Sequence, residues 1–379
     1  MRSLSKIIAT YNLYLNLKHS SPSFSTVKLW IEKIGYTKLC TNKEKANDWV
    51  LILDESIGIG QEKVLVVLGI RQSHIDFTRP LTIQDMEPIL VKSSEKWTGQ
   101  SIAKELNLIK EKLGTVSYSV TDAGSTLKAG IREANINWTY DITHAIAIFL
   151  DKIYRTDKIF KTFTYNAGQM RFKNCCGKNA HLIPPNQRSK SRFLNIDILS
   201  NWAIKALNAY DKNKITEQER SQLQWVKENE LYILEMNQVI YASQEISVIL
   251  KHNGLCKRTM KKCIGYLDKF KKGKLLQFKE LMIAYLNENI KNLTKKTRKL
   301  LCCSDVIEST FGKYKNELSK NPMSGITDLV LIIPALTAKL TIKSVNEAID
   351  NCTVKDIHKW SKENLCESLL TKRKIAFKN

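Results

Sequence analysis

Two apolar runs that each end in an aspartate constrain this chain most. Asp48-Trp-Val-Leu-Ile-Leu-Asp54 holds nothing polar between its two acids, and Val116-Ser-Tyr-Ser-Val-Thr-Asp122 alternates. A short unbroken apolar run reads as a strand buried on both faces, whereas alternation reads as a strand with one wetter face. Gly58 and Gly60 turn the chain after the first run, and Lys63-Val-Leu-Val-Val-Leu-Gly-Ile70 follows as a second buried strand. A third, more polar strand is expected over residues 75–81. Residues 94–113 then carry Ile102, Leu106, Ile109 and Leu113 at helical spacing, and Gly114 closes that helix. After the second aspartate come a short helix over 125–133, a short fifth strand over 136–140 and an apolar helix over 143–154.

Three strands, a helix, a strand, a helix, a strand and a helix, in that order, are what a ribonuclease-H-like α/β fold requires. Its mixed five-stranded sheet is an antiparallel meander continued by parallel crossovers. Around this core the chain divides by pattern. Residues 1–46 form a short helical N-terminal region, with one apolar stripe at Leu4, Ile7, Ile8, Tyr11 and Leu15 and another at Val27, Trp30, Ile31 and Ile34. The second of these helices reads either as a packing helix or as part of a helix-turn-helix that presents Lys28 and Lys33. Residues 47–156 are the first part of the core. From 157 to 300 the strand signal is gone, and helical patterns run over 199–210, 216–241, 246–250 and 274–293, as in a large all-α insertion. Residues 301–345 return to the core with a capped helix over 304–315, ended by Pro322 and Gly325, and an apolar helical segment over 326–340 that breaks at Pro334. Residues 346–379 are a charged C-terminal tail.

The chain has 379 residues, 43% of them apolar, which supports packed cores rather than disorder. No stretch approaches the roughly 20 apolar residues that span a bilayer, and no signal peptide is visible. A soluble, cytoplasmic, nucleoid-associated protein is therefore expected. Lys and Arg number 60 against 37 Asp and Glu, a net charge of +23, which favours a polyanionic partner whose counterions are released on binding. Between Lys158 and Ile196 stand eight cations (Lys158, Lys161, Arg171, Lys173, Lys178, Arg188, Lys190 and Arg192) and no acid, with Phe160, Phe163, Tyr165, Phe172 and Phe193 among them. A second basic stretch holds Lys257, Arg258, Lys261, Lys262, Lys269, Lys271, Lys272 and Lys274. Such stretches suit contact with DNA phosphates, or else form a solvated helical face. Nine cysteines without a C-x-x-C pair read as reduced, mostly buried thiols.

Phosphodiester chemistry by two metal ions needs carboxylates that converge on a pair of cations about 4 Å apart. Strand ends can hold two such ligands rigidly, here Asp54 and Asp122, and a helix packed on the sheet can bring a third. Oxygen donors in that arrangement point to Mg²⁺, with Mn²⁺ as a substitute.

Asp141-Ile-Thr-His144, which follows the fifth strand and opens a helix, resembles the [Cys/Asp]-x-x-His signature of the hAT and Mutator-like transposase superfamilies. The stretch Asp305-Val-Ile-Glu-Ser-Thr-Phe-Gly-Lys-Tyr-Lys315 looks like the glutamate-bearing helix of bacterial insertion-sequence DDE transposases. The resemblance covers about residues 20–345. It implies that Asp54, Asp122 and Glu308 hold the metals, with Asp305 as the competitor to Glu308, and that both cleavage at an element's end and strand transfer into target DNA follow. It also implies that His144 acts on the scissile phosphate, that Asp141 supports it, and that Lys313 and Lys315 touch DNA close by. Synapsis of two double-stranded DNA ends implies a homo-oligomer, a dimer first. The rival readings are a ribonuclease-H-like nuclease or resolvase without strand transfer, and a non-catalytic DNA-binding protein derived from a transposase.

Overall fold

The computed structural model describes residues 2–18, 20–59, 62–187, 192–212, 215–295, 297–318 and 325–377. Gly60 and Pro322 lie outside the described residues, as do Arg188 and Lys190. The chain forms two compact units, Met1–Thr139 with Cys303–Asn379, and Tyr140–Cys302.

The first unit is built on five strands, β1 Ala46–Ile59, β2 Glu62–Arg71, β3 Glu87–Ser94, β4 Gly114–Thr121 and β5 Trp138–Tyr140, in the spatial order β3-β2-β1-β4-β5. β1 and β2 pair antiparallel, as do β2 and β3, while β4 runs parallel to β1. The sheet is therefore mixed and five-stranded, compatible with the ribonuclease-H-like order expected. The third strand is not at 75–81. It lies at Glu87–Ser94, after two single 3₁₀ turns, and pairs with β2 from Lys63↔Ser94 to Gly69↔Glu87 with an irregularity at Ile89. Asp76, Arg79 and Asp85 occupy the earlier segment instead, where the Arg79 guanidinium bonds both Asp85 oxygens, at 2.8 and 2.6 Å. Those charges are satisfied within a loop instead of a paired strand.

Alternation assigns each residue of β1 to a face. Trp49, Leu51 and Leu53 join Leu65 and Val67 under helices α3 (Gly99–Leu113) and α4 (Ser125–Glu133), where Ile102, Leu106, Ile109, Leu127 and Ile131 complete one core. Each such side chain contributes about 1.5–3 kcal/mol by leaving water. α3 ends at Gly114, whose φ of +92° would strain a side-chain-bearing residue. Val50 and Ile52 point to the other face. On the flanks of the unit lie α1 (Arg2–Tyr14), α2 (Phe24–Cys40), α12 (Asp305–Glu317), α13 (Ile332–Leu336), α14 (Ile342–Asn351), α15 (Val354–Asn364) and α16 (Leu369–Ala376). α2 packs against α13, α14 and α15. A Cβ on its Gly35 would lie 1.9 Å from the Leu331 carbonyl oxygen, so only glycine fits that crossing. Lys33 of α2 donates to the Ile349 carbonyl at 2.7 Å and Lys28 pairs with Glu32 at 3.2 Å, so both candidate DNA-reading lysines serve the fold.

The second unit is helical: α5 Ile142–Tyr154, α6 Lys158–Asn174, α7 Ile196–Asp211, α8 Glu217–Glu228, α9 Glu230–Asn253, α10 Lys257–Leu267 and α11 Gly273–Asn289. The pattern over 216–241 hides a break, because Asn229 separates α8 from α9. α6 takes up the first part of the first basic stretch, to Asn174, and is anchored by buried Phe160, Phe163, Ala167 and Met170. Phe163 meets Trp225 with ring centroids 5.2 Å apart, and Trp225 stacks on Trp202 at 6.0 Å. Among the described residues no helix is long and apolar enough to cross a membrane.

Candidate active site

The parallel pairing of β1 with β4 sets Ile52 beside Val120. Two residues further along each strand come Asp54, still within β1, and Asp122, the first residue past the end of β4. A step of two keeps both on the face of Ile52 and Val120, opposite α3 and α4. Adjacent strands lie about 4.8 Å apart, and the two carboxylates belong to the adjacent interior strands β1 and β4. Both residues are half-buried. The Gly124 N–H donates to Asp122 Oδ1 at 2.8 Å, which fixes the carboxylate's rotation as the chain turns into α4.

α12 packs against β1. Its packing face is Val306, Ile307, Thr310, Phe311 and Tyr314. At 100° per residue, Asp305 and Glu308 both fall off that face. Glu308 is exposed and Asp305 half-buried. Both stand in the first turn of α12, where the positive end of the helix dipole favours a carboxylate.

Glu55 is the acid that the sequence pattern did not single out. It follows Asp54 and, by alternation, points to the opposite face. Its side chain is 10% exposed, its Lys63 partner is 3.5 Å away, and its Oε1 has no hydrogen-bond partner among the described residues. Burial pushes the Glu55 carboxyl above the usual carboxylate range; the Lys63 ammonium pulls it back and the Asp122 charge adds to the rise. Three acids thus share one neighbourhood. The doublet Asp54-Glu55 directly after an apolar run was the available signal, and both residues lie inside β1, paired with Val66 and Leu65 of β2.

Asp141 and His144 open α5 in the second unit. Asp141 is fully buried and caps the helix, its Oδ1 accepting the His144 N–H at 2.9 Å. The spacing of the motif is therefore also the spacing of an N-cap. The start of α5 is held further by the Ile142 N–H, which donates to the Cys302 carbonyl at 2.8 Å, and by the Tyr140 N–H, which donates to Asn289 Oδ1 at 2.9 Å. Complete burial, with the nearby Asp141 charge adding to it, pushes the Cys302 thiol up to about 12. His144 is half-buried.

Of the cations singled out for DNA, Lys313 and Lys315 are exposed on α12 and Lys173 is exposed on α6. Arg171 is half-buried and donates to the Pro184 carbonyl at 2.9 Å. Arg188 and Lys190 lie outside the described residues, and so does the side chain of Arg192. Lys257, Arg258, Lys261, Lys262, Lys269, Lys271 and Lys272 are exposed. Lys274 is not: it reaches Asp157 at 2.9 Å and Glu235 at 3.5 Å and lies over the Tyr232 ring. Cys40, Cys175 and Cys176 are exposed, against the expectation of mostly buried thiols, while Cys263, Cys302 and Cys352 are buried.

No protein-family model matches this chain, and no curated protein matches it in sequence. Among solved structures it is similar to a chain of the Drosophila P element transposase strand transfer complex. The identity is 13% and the TM-score 0.41, over 92% of this chain and 89% of that one.

Proposed function

We propose that this chain is a DDE-type DNA transposase that cleaves the ends of a mobile element and joins them to target DNA, a relative of the bacterial insertion-sequence enzymes. The observation that supports the reading is the parallel pairing of Ile52 with Val120, two residues before Asp54 and Asp122. Half-burial and oxygen-only donors suit hard divalent cations, Mg²⁺ with Mn²⁺ as a substitute. Asp54, Asp122 and Glu308 would hold them, with Asp305 as the alternative third ligand. Two such cations, when bound, activate the attacking water or 3′-hydroxyl and stabilise the leaving oxygen.

The chain's own groups do the rest. The Gly124 N–H keeps Asp122 turned one way, so that its carboxylate needs little reorganisation when a cation arrives. His144 is assigned a hydrogen bond to DNA phosphate, and Asp141 sets the helix turn that carries it. Lys313, Lys315, Lys173, Arg171, Arg188, Lys190 and Arg192 are assigned to the phosphate backbone, where they add affinity without reading bases. A dimer would hold two DNA ends together.

The test is cleavage and joining of element-end DNA with Mg²⁺. Asp54→Asn and Asp122→Asn should each lower both products by about 10³-fold, while DNA binding and the metal-free melting temperature stay as in the wild type. Wild-type cleavage by both variants would sink the assignment. Glu308→Gln against Asp305→Asn decides the third ligand. Joining of a pre-cleaved end separates a transposase from a nuclease that only cuts.

A further inference from the structure

One side of α9 is buried along its whole length by Tyr232, Ile233, Met236, Val239, Ile240, Ala242, Ile246 and Leu250. The other side carries a second pattern. Leu231, Leu234, Gln238, Tyr241, Glu245, Val248 and His252 recur at alternating steps of three and four, the spacing of a coiled-coil seam. Leu231 is 84% exposed, Leu234 42%, Tyr241 57% and Val248 53%. A helix that needs only to cover its own core has no use for a second apolar stripe in water.

Charge identifies the occupant. The seven seam positions hold one acid, Glu245, and no lysine or arginine, in a chain whose net charge is +23. This face is therefore unsuited to DNA, and it is a place where two such basic chains can approach without strong repulsion. Parallel pairing would stack Glu245 on Glu245 and His252 on His252. Antiparallel pairing sets Glu245 against the turn Leu234–Gln238, where the Gln238 amide can donate to it. It also sets Leu231 and Leu234 near Val248, with a two-fold axis near Tyr241.

We propose that α9 is a homodimerisation helix and that it pairs antiparallel with α9 of a second copy of this chain. The proposal gives the dimer of the previous section a surface, but it stands on the helix alone. Its test needs neither metal nor DNA, so its failure leaves the carboxylate reading untouched.

Light scattering on the full chain at high salt should give a dimer. Leu234→Lys with Tyr241→Lys should weaken self-association by about 30-fold or more, the scale of a lost hot spot, without moving the melting temperature at dilutions where both proteins are monomeric, because both positions are exposed. Orientation is read by cross-linking with a short bismaleimide after the exposed Cys40, Cys175 and Cys176 are changed to serine. A mixture of Leu234→Cys and Val248→Cys chains should cross-link to each other far more than either does to itself. A wild type that stays monomeric at tens of micromolar, a lysine variant that still dimerises, or self-linking of the single cysteines would each overturn the proposal.

Discussion

The acid-bearing sheet of the first unit and the basic helices of the second recruit charge in opposite ways. In the sheet, position is dictated by backbone pairing: Ile52 pairs with Val120, two residues before Asp54 and Asp122. In the helices nothing so rigid exists, and each lysine is sorted by what its own turn packs against. Lys271 and Lys272 face solvent, while Lys274, two residues on, lies among Asp157, Glu235 and Tyr232. A charge on a paired strand is thus a statement about geometry. A charge on a helix becomes one only after its partners are known.

The largest expected effect tests the sheet. Asp54→Asn or Asp122→Asn should lower Mg²⁺-dependent cleavage by about 10³-fold, on the scale of losing one preorganised charge-stabilising group. DNA affinity and its salt dependence should hardly change. A variant that lost binding and cleavage together would show that sheet and helices are not the separate devices contrasted here.

The next effect tests the sorting of lysines. Lys274→Ala leaves the Asp157 carboxylate buried without its cation and should cost about 3 kcal/mol in denaturant unfolding. Lys271→Ala with Lys272→Ala should stay within about 0.5 kcal/mol of wild type, yet lower the slope of log affinity against log salt by about 2 if both meet phosphate. Equal effects of the two changes on stability would erase the distinction.

The clamp has a pH signature. Burial pushes the Asp157 carboxyl up, but the Lys274 ammonium, the Phe160 N–H and the Tyr232 hydroxyl more than reverse this, so it titrates below the usual range. A depressed carboxyl stabilises the fold above its unfolded value, about 3.9, and that contribution fades as pH falls through the lower native value. The gap in unfolding free energy between wild type and Lys274→Ala should therefore be flat from about pH 7 to 5 and narrow below about 4. A gap that stayed constant into acid would mean that Lys274 acts through its packing on Tyr232 alone.

The same contrast explains what could be read in advance. The buried runs before Asp54 and Asp122 were legible because a strand's period is a local fact, but β1 runs on past Asp54 to Ile59. β3 was placed too early, because residues 75–81 alternate loosely while their charges pair within a loop. Lys274 carried no sequence mark that separated it from Lys271, because its partners Asp157 and Glu235 are remote in the chain. The third carboxylate is the hardest to place: the face of α12 that packs is plain from Val306, Ile307 and Phe311, but Asp305 and Glu308 both lie off it.

The smallest expected effect concerns Glu55, which sits beside Asp54 but on the other face. Because its carboxyl titrates above the ordinary value, the fold carries a disfavoured charge at neutral pH. Stability is lost as pH rises from the unfolded value towards the native one, and the loss levels off above it. Glu55→Gln keeps the shape and removes that charge, so it should be more stable than wild type at pH 8 by about 1 kcal/mol, with the difference gone by about pH 4. Mg²⁺ should raise the melting temperature of wild type and Glu55→Gln alike, and that of Asp54→Asn little. Should Glu55→Gln instead lose the Mg²⁺ response, the cation would be drawing on both faces of β1. The register of Asp54 with Asp122 would then describe only part of the site.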